Sequence, residues 1–186
     1  MNKVRLLFNN VAEILGNEDI GLIVLTDELK LRQIVMVCDK ATKLAINMRV
    51  RKMPETEYML PEVMARMLKA KGTDCYEILI NDVKEGQYVT VIHDTSNGET
   101  FKVKASHAIL LSLVSNIPVY ITEELMKRQS NDFMNKGEKL SVPINAISEP
   151  MLEESLKKAI EEENYELASK LSKEINKRKN KEERLS

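Results

Sequence analysis

Long apolar runs, paired cysteines and an excess of charge of either sign are all missing from this chain, and each absence closes a class of function. The apolar stretch 21–25 is five residues long, whereas a bilayer-spanning helix needs about 20. The opening Met1-Asn2-Lys3-Val4-Arg5 leads into alternating residues, without the apolar stretch and small-residue cleavage site of a secretory signal. A soluble cytoplasmic chain with no membrane partner is therefore expected. The two cysteines, Cys38 and Cys75, stand far apart in apolar segments. They lack the spacing of a zinc site or a disulfide framework, and both are expected as buried thiols. There are 28 basic and 29 acidic residues, split as 17 of each over 1–129 and nine of each over 151–186, so the strongly basic footprint of a nucleic-acid binder is absent. No phosphate-gripping glycine loop, nucleophile elbow or zinc spacing is found.

What remains is a globular composition, 43% hydrophobic and 31% charged over 186 residues, enough for one real core and a small appendage. The pattern predicts an α+β fold, with a mixed or antiparallel sheet packed with helices over 1–129. Strands are expected around Val4–Phe8, 22–25 and 34–37, with Asp39 capping a helix whose core stripe is Leu44, Ala45 and Met48. A second helix, roughly Pro61 to Lys71 and stopped by Gly72, carries Val63, Met64, Met67 and Leu68 as its core stripe. A three-stranded meander follows over 76–83, 87–93 and 100–104, turned by Lys84-Glu85-Gly86 and Asn97-Gly98. Ser106 is expected to cap the next helix, with Ile109, Leu110, Leu113 and Val114 inward and Asn116 at its end. A strand over 117–121 and a helix capped by Thr122, with Glu123 and Glu124 in its first turn, close the domain.

Residues 130–149, with Asn131, Gly137 and Pro143, have no sustained period and are expected as a linker. From 150 to 179 two short helical stripes, Leu152, Leu156, Ala159 and Ile160, then Tyr165, Ala168, Leu171 and Ile175, flank Glu161-Glu162-Glu163-Asn164. Each is only about three turns long and would be unstable alone in water, so they are expected to fold back on one another or onto a partner. Residues 180–186 form a charged tail.

The stretch Leu152-x3-Leu156-x2-Ala159-Ile160-Glu161-Glu162-Glu163-Asn164-Tyr165-Glu166-x-Ala168-x2-Leu171-x3-Ile175 resembles the UVR motif, the antiparallel helical hairpin through which UvrB and UvrC associate. Ser169 stands where a second alanine is usual, and Ser172-Lys173 where an Arg-Asp pair is common. The resemblance implies a protein partner, held through Leu156, Ile160, Tyr165 and Leu171. The first 129 residues resemble the bifunctional nuclease domain family, on Phe101-Lys102-Val103-Lys104-Ala105-Ser106-His107-Ala108-Ile109 followed by Ile117-Pro118-Val119-Tyr120-Ile121-Thr122-Glu123-Glu124-Leu125. That family implies cleavage of DNA or RNA and a tendency to form homo-oligomers.

The family's acids are replaced here. Its Asp-x-Arg becomes Lys102-x-Lys104, the Asp after the serine becomes His107, and the Glu-Ala of its first helix becomes Lys40-Ala41. A Thr-His-Asp that opens its second helix gives way to Met59-Leu60-Pro61. Metal-assisted phosphodiester cleavage needs acidic oxygens to hold a hard cation and activate water, so Mg²⁺ or Mn²⁺ is expected only where nuclease activity persists. Lysines in those places attract phosphate instead. His107 is the candidate catalytic base. Lys40, His93, Lys102, Lys104 and Ser106 are the candidate phosphate-binding residues, with His93, Lys102, Lys104 and His107 expected to form a cationic pocket. The run Lys40, Lys43, Arg49, Arg51 and Lys52 is either a solvated helix face or a phosphate-contacting patch. Two readings stay open: a nuclease with altered phosphodiesterase chemistry, or a catalytically silent scaffold.

Overall fold

A computed structural model describes residues 2–14, 17–71, 75–133 and 142–182. Gly72, the expected stop of the second helix, lies outside the described residues. So do the middle of the linker with Gly137 and the last four residues of the tail. The chain divides into two compact units, Met1–Asp82 with Tyr88–Ser141, and Val83–Gln87 with Val142–Ser186. No helix among the described residues is long and apolar enough to cross a membrane.

The first unit is an α+β domain on an eight-stranded mixed sheet. Its elements are β1 (Lys3–Ile14), β2 (Asn17–Asp27), β3 (Arg32–Asp39), α1 (Lys40–Val50), α2 (Leu60–Lys71), β4 (Tyr76–Lys84), β5 (Gln87–Asp94), β6 (Thr100–Lys104), α3 (Ala105–Ser115), β7 (Val119–Thr122), α4 (Glu123–Gln129) and β8 (Asn131–Asp132). The sheet order is β6-β5-β4-β7-β1-β2-β3-β8. Strands β4 and β7 run parallel, while β1 is antiparallel to both β7 and β2.

Strands β2 and β3 are long apolar runs because both of their faces are covered: Ile23, Val24, Leu25, Ile34, Val35 and Met36 are all at most 2% exposed. Such continuous runs mark strands without a solvent side. Ile78 and Ile80 of β4 and Ile121 of β7 are fully buried, each stabilising the fold by about 1.5–3 kcal/mol. Helix α3 buries Ala108, Ile109, Leu110 and Leu111 and ends where Asn116 enters the left-handed region at φ 61, as its position after the apolar stripe predicts. The Asp39 side chain accepts from the Thr42 N–H at 2.7 Å, and Thr122 from the Leu125 N–H at 3.3 Å, so two of the three expected caps form. The β4–β5 turn is closed by Glu85 and Gly86, both at positive φ, and the β5–β6 loop by the Asp94 N–H donating to the Glu99 carbonyl.

Four expectations are overturned. Helix α1 buries Thr42, Lys43 and Ile46, while Leu44 is 53% exposed. Its entry through the Asp39 cap sets the phase, and Gly21 leaves room for the aliphatic stem of Lys43 to lie inward. Helix α2 buries Ala65, whose small side chain suits packing beside α3, and turns Met64 and Met67 outward. Ser106 is not a cap: Lys104 occupies the N-cap position without a side-chain bond, and Ser106 is already inside α3. The helix starts early because β6 delivers its last residue directly into the first turn. Of the two thiols, Cys38 is buried but Cys75 is only half-buried.

The second unit contains α5 (Glu149–Glu161) and α6 (Tyr165–Glu182), an antiparallel-stripe pair joined through Asn164. Asn164 caps α6 by accepting from the Leu167 N–H at 3.2 Å. Leu152, Ala159, Ala168, Leu171 and Ile175 form its core, with Leu156, Ile144 and Ile147 packed against it. The Arg178 guanidinium donates to the carbonyls of Ile144, Asn145 and Ile147. Gly86, at φ 76, has no room for a side chain, since a Cβ there would lie 2.2 Å from the Ile147 carbonyl oxygen.

Candidate functional site

The starts of α1 and α3 meet. Each follows directly from a strand, β3 into α1 and β6 into α3, and the Lys104 ammonium at the head of α3 lies 2.6 Å from Asp39 Oδ2 at the head of α1. The other Asp39 oxygen is occupied by the α1 cap. The Lys104 bond, then the Thr42 N–H, hold the Asp39 carboxyl far below the usual carboxylate range. Behind it, Cys38 is pushed up to about 11, first by burial and then by the neighbouring Asp39 charge.

Lys40 opens α1 and pairs with Asp19 at 3.1 Å. Ser106 is buried with no partner for its hydroxyl among the described residues, while His107, the third residue of α3, is exposed. His93 Nδ1 lies 3.2 Å from Glu77 Oε1 on the adjacent strand. Lys3 also pairs with Glu77 and sits 4.2 Å above the Tyr120 ring. Burial pushes the Glu77 carboxyl up, but the bonds from Lys3 and His93 outweigh it, and the group ends below its ordinary value. Lys102 is exposed and faces Val91 across β5–β6, with Thr100 facing His93. His93 and Lys102 are thus diagonal neighbours on one face, about 7–8 Å apart. Lys104 is drawn to Asp39 instead, while His107 is exposed in the first turn of α3.

The cationic run of α1 is divided. Arg49 lies 2.6 Å from Glu62 Oε2 and donates to the Ala45 carbonyl, with its side chain 8% exposed. Lys43 is buried and Lys40 is paired, which leaves Arg51 and Lys52 at the exposed end. In the hairpin, Leu171 is closed inside the α5–α6 core and Leu156 is half-buried, whereas Ile160 and Tyr165 face outward. Sequence reasoning missed Glu77, Lys3 and the Arg49–Glu62 pair. The alternation of β4 could have exposed Glu77, but partners 74 residues away in sequence leave no local signal.

Residues 23–133 match the model of the bifunctional nuclease domain. The chain belongs to the bifunctional nuclease domain family. Comparison with curated proteins finds no match. The match spans both helix starts, β5, β6 and α3, so the junction lies inside the family domain. Among the described residues no three of His, Cys, Asp and Glu converge on a point where a metal ion could be held. Asp39, the carboxylate at the junction, already has one oxygen on Lys104 and the other on a backbone N–H. These donors do not fit a divalent cation there. What the junction offers is anion chemistry: a helix start without a side-chain cap, whose first-turn N–H groups favour negative charge, beside exposed His107 and Lys102.

Proposed function

We propose that this member of the bifunctional nuclease domain family engages phosphate-bearing ligands, nucleic acid foremost, without metal-assisted hydrolysis, and is tethered to a protein partner by α5 and α6 acting as a UVR-type hairpin. The observation that carries this reading is the Asp39–Lys104 pair. A carboxylate neutralised by lysine at the meeting of two helix starts is unsuited to hold a hard cation, and Lys40, Lys102 and His107 stand where the family's acids would be. The outward Ile160 and Tyr165 of the hairpin, 54% and 69% exposed, support a partner-facing surface. Leu60, Met64 and Met67, exposed along α2, support self-association.

The test is paired binding and cleavage of single- and double-stranded DNA and RNA by the full chain, with Mg²⁺, Mn²⁺ or EDTA. Salt-dependent binding without cleavage, weakened by Lys102→Glu, supports the proposal. The exposed His107 favours the second reading, a nuclease with a rebuilt site. Cleavage that is lost both in EDTA and in His107→Ala would establish that reading and overturn the first. Neither binding nor cleavage would leave a scaffold, whose partner is then sought with the 150–179 hairpin.

A further inference from the structure

Away from the junction, α2, the end of α3 and the start of β4 enclose an open cleft of about 590 Å³, a size that suits one small organic ligand. Its lining separates into four kinds of surface. Arg66 and Lys69 of α2 line it, three residues apart and so neighbours on one helix face. Both are exposed, and neither has an ion-pair partner among the described residues. Val114 and Pro118 supply an apolar wall beside Tyr76. Glu57 stands at the opposite chemical pole, an exposed carboxylate without an ion-pair partner among the described residues, while the other acid, Glu62, is already satisfied by Arg49. Asn116 completes the lining with an amide able both to donate and to accept.

The geometry points to a site for a nucleoside monophosphate, free or as the phosphorylated end of a strand. Two unpaired cations match a terminal phosphomonoester, which carries about −1.5 to −2 charges at neutral pH, better than they match an internal diester with one. The Tyr76 ring and the apolar wall take the base face, since stacking on an aromatic ring is tolerant of base identity. Glu57 accepts from ribose hydroxyls, and Asn116 reaches a base edge. None of these residues belongs to the α1–α3 junction, so this site and the junction reading stand or fall separately.

Calorimetric titration of the full chain with adenosine 5′-monophosphate, adenosine and inorganic phosphate tests the site, beside the double variant Arg66→Glu/Lys69→Glu. Both substituted side chains are exposed, so an unchanged thermal melt is expected. The monophosphate is expected to bind saturably, with adenosine, phosphate and the double variant each at least about tenfold weaker, as the loss of a charged hydrogen bond implies. No saturable binding, equal binding by phosphate alone, or no change in the variant overturns the site. A 5′-phosphorylated oligonucleotide that displaces the monophosphate, where its unphosphorylated twin does not, assigns the strand end as the source. Failure of both to displace it assigns the free nucleotide.

Discussion

The Lys104 ammonium and Asp39 Oδ2 lie 2.6 Å apart although 65 residues separate them in sequence. One carboxylate thereby caps α1 and binds the head of α3. Asp39→Ala removes both roles and is expected to cost about 1–2 kcal/mol, the scale of a lost N-cap. Asp39→Asn keeps the cap and gives up only a half-exposed ion pair, less than about 1 kcal/mol. The folded carboxyl is held below its ordinary value, so its contribution is complete above the unfolded pKa and is lost as pH falls through the folded one. Urea melts near neutral pH and at about pH 3 should show less acid dependence in Asp39→Asn than in the parent. Equal acid dependence in the two would refute the pairing.

Gly21 lies under α1, where a Cβ would stand 2.9 Å from Cys38 Sγ and 3.0 Å from Lys43 Cβ. Gly21→Ala is therefore expected to destabilise by about 1–3 kcal/mol, as overpacked cores do. Adding Cys38→Ala removes the nearest atom and should recover part of that loss. A melting temperature unaffected by Gly21→Ala would mean that α1 is free to shift away.

Glu77 bridges Lys3 and His93 from inside the sheet. In Lys3→Met the burial of the carboxyl loses its main opponent, so the Glu77 titration followed by NMR should move upward. The parent group, lowered on folding, stabilises above its unfolded pKa and ceases to do so as acid protonates it. An unmoved titration in Lys3→Met would assign the lowering to His93 alone.

Cys38 is buried and its thiol is raised to about 11, which leaves roughly a hundredfold less thiolate than an ordinary cysteine at neutral pH. Limited alkylation followed by mass spectrometry should mark the half-buried Cys75 first. Labelling of Cys38 at the same rate would require β2 and β3 to open together.

The parts of this fold that were legible in sequence are those governed by neighbours along the chain. Asp39, Thr122 and Asn116 bracket their helices as their chemistry demands, and Glu85-Gly86 turns the hairpin through positive φ. The helix stripes failed for a definite reason. In α1 and α2 the apolar residues are few enough to draw two competing faces, and packing chose Ile46 and Ala65 over Leu44 and Met64. Close approach to the neighbouring layer rewards a small side chain where hydropathy alone favours a large one. The site was legible only as a list of cations. That Lys104 is answered by Asp39, and Arg49 by Glu62, is a tertiary fact set by which strand ends and helix starts lie together.

Strand β7 is only four residues long, yet it stands between β4 and β1 in the middle of the sheet. On one side of it, β4, β5 and β6 form a meander local in sequence; on the other, β1, β2 and β3 form a second. Each can be assembled with short loop closures, whereas the seam waits for a segment made after both. Within the sheet, cooperativity therefore passes through Val119–Thr122. Were those few backbone bonds weakened, the two meanders would still be joined through α3, packed on α1 and α2, and through the Asp39–Lys104 pair, so the sheet would lose its register before the domain came apart.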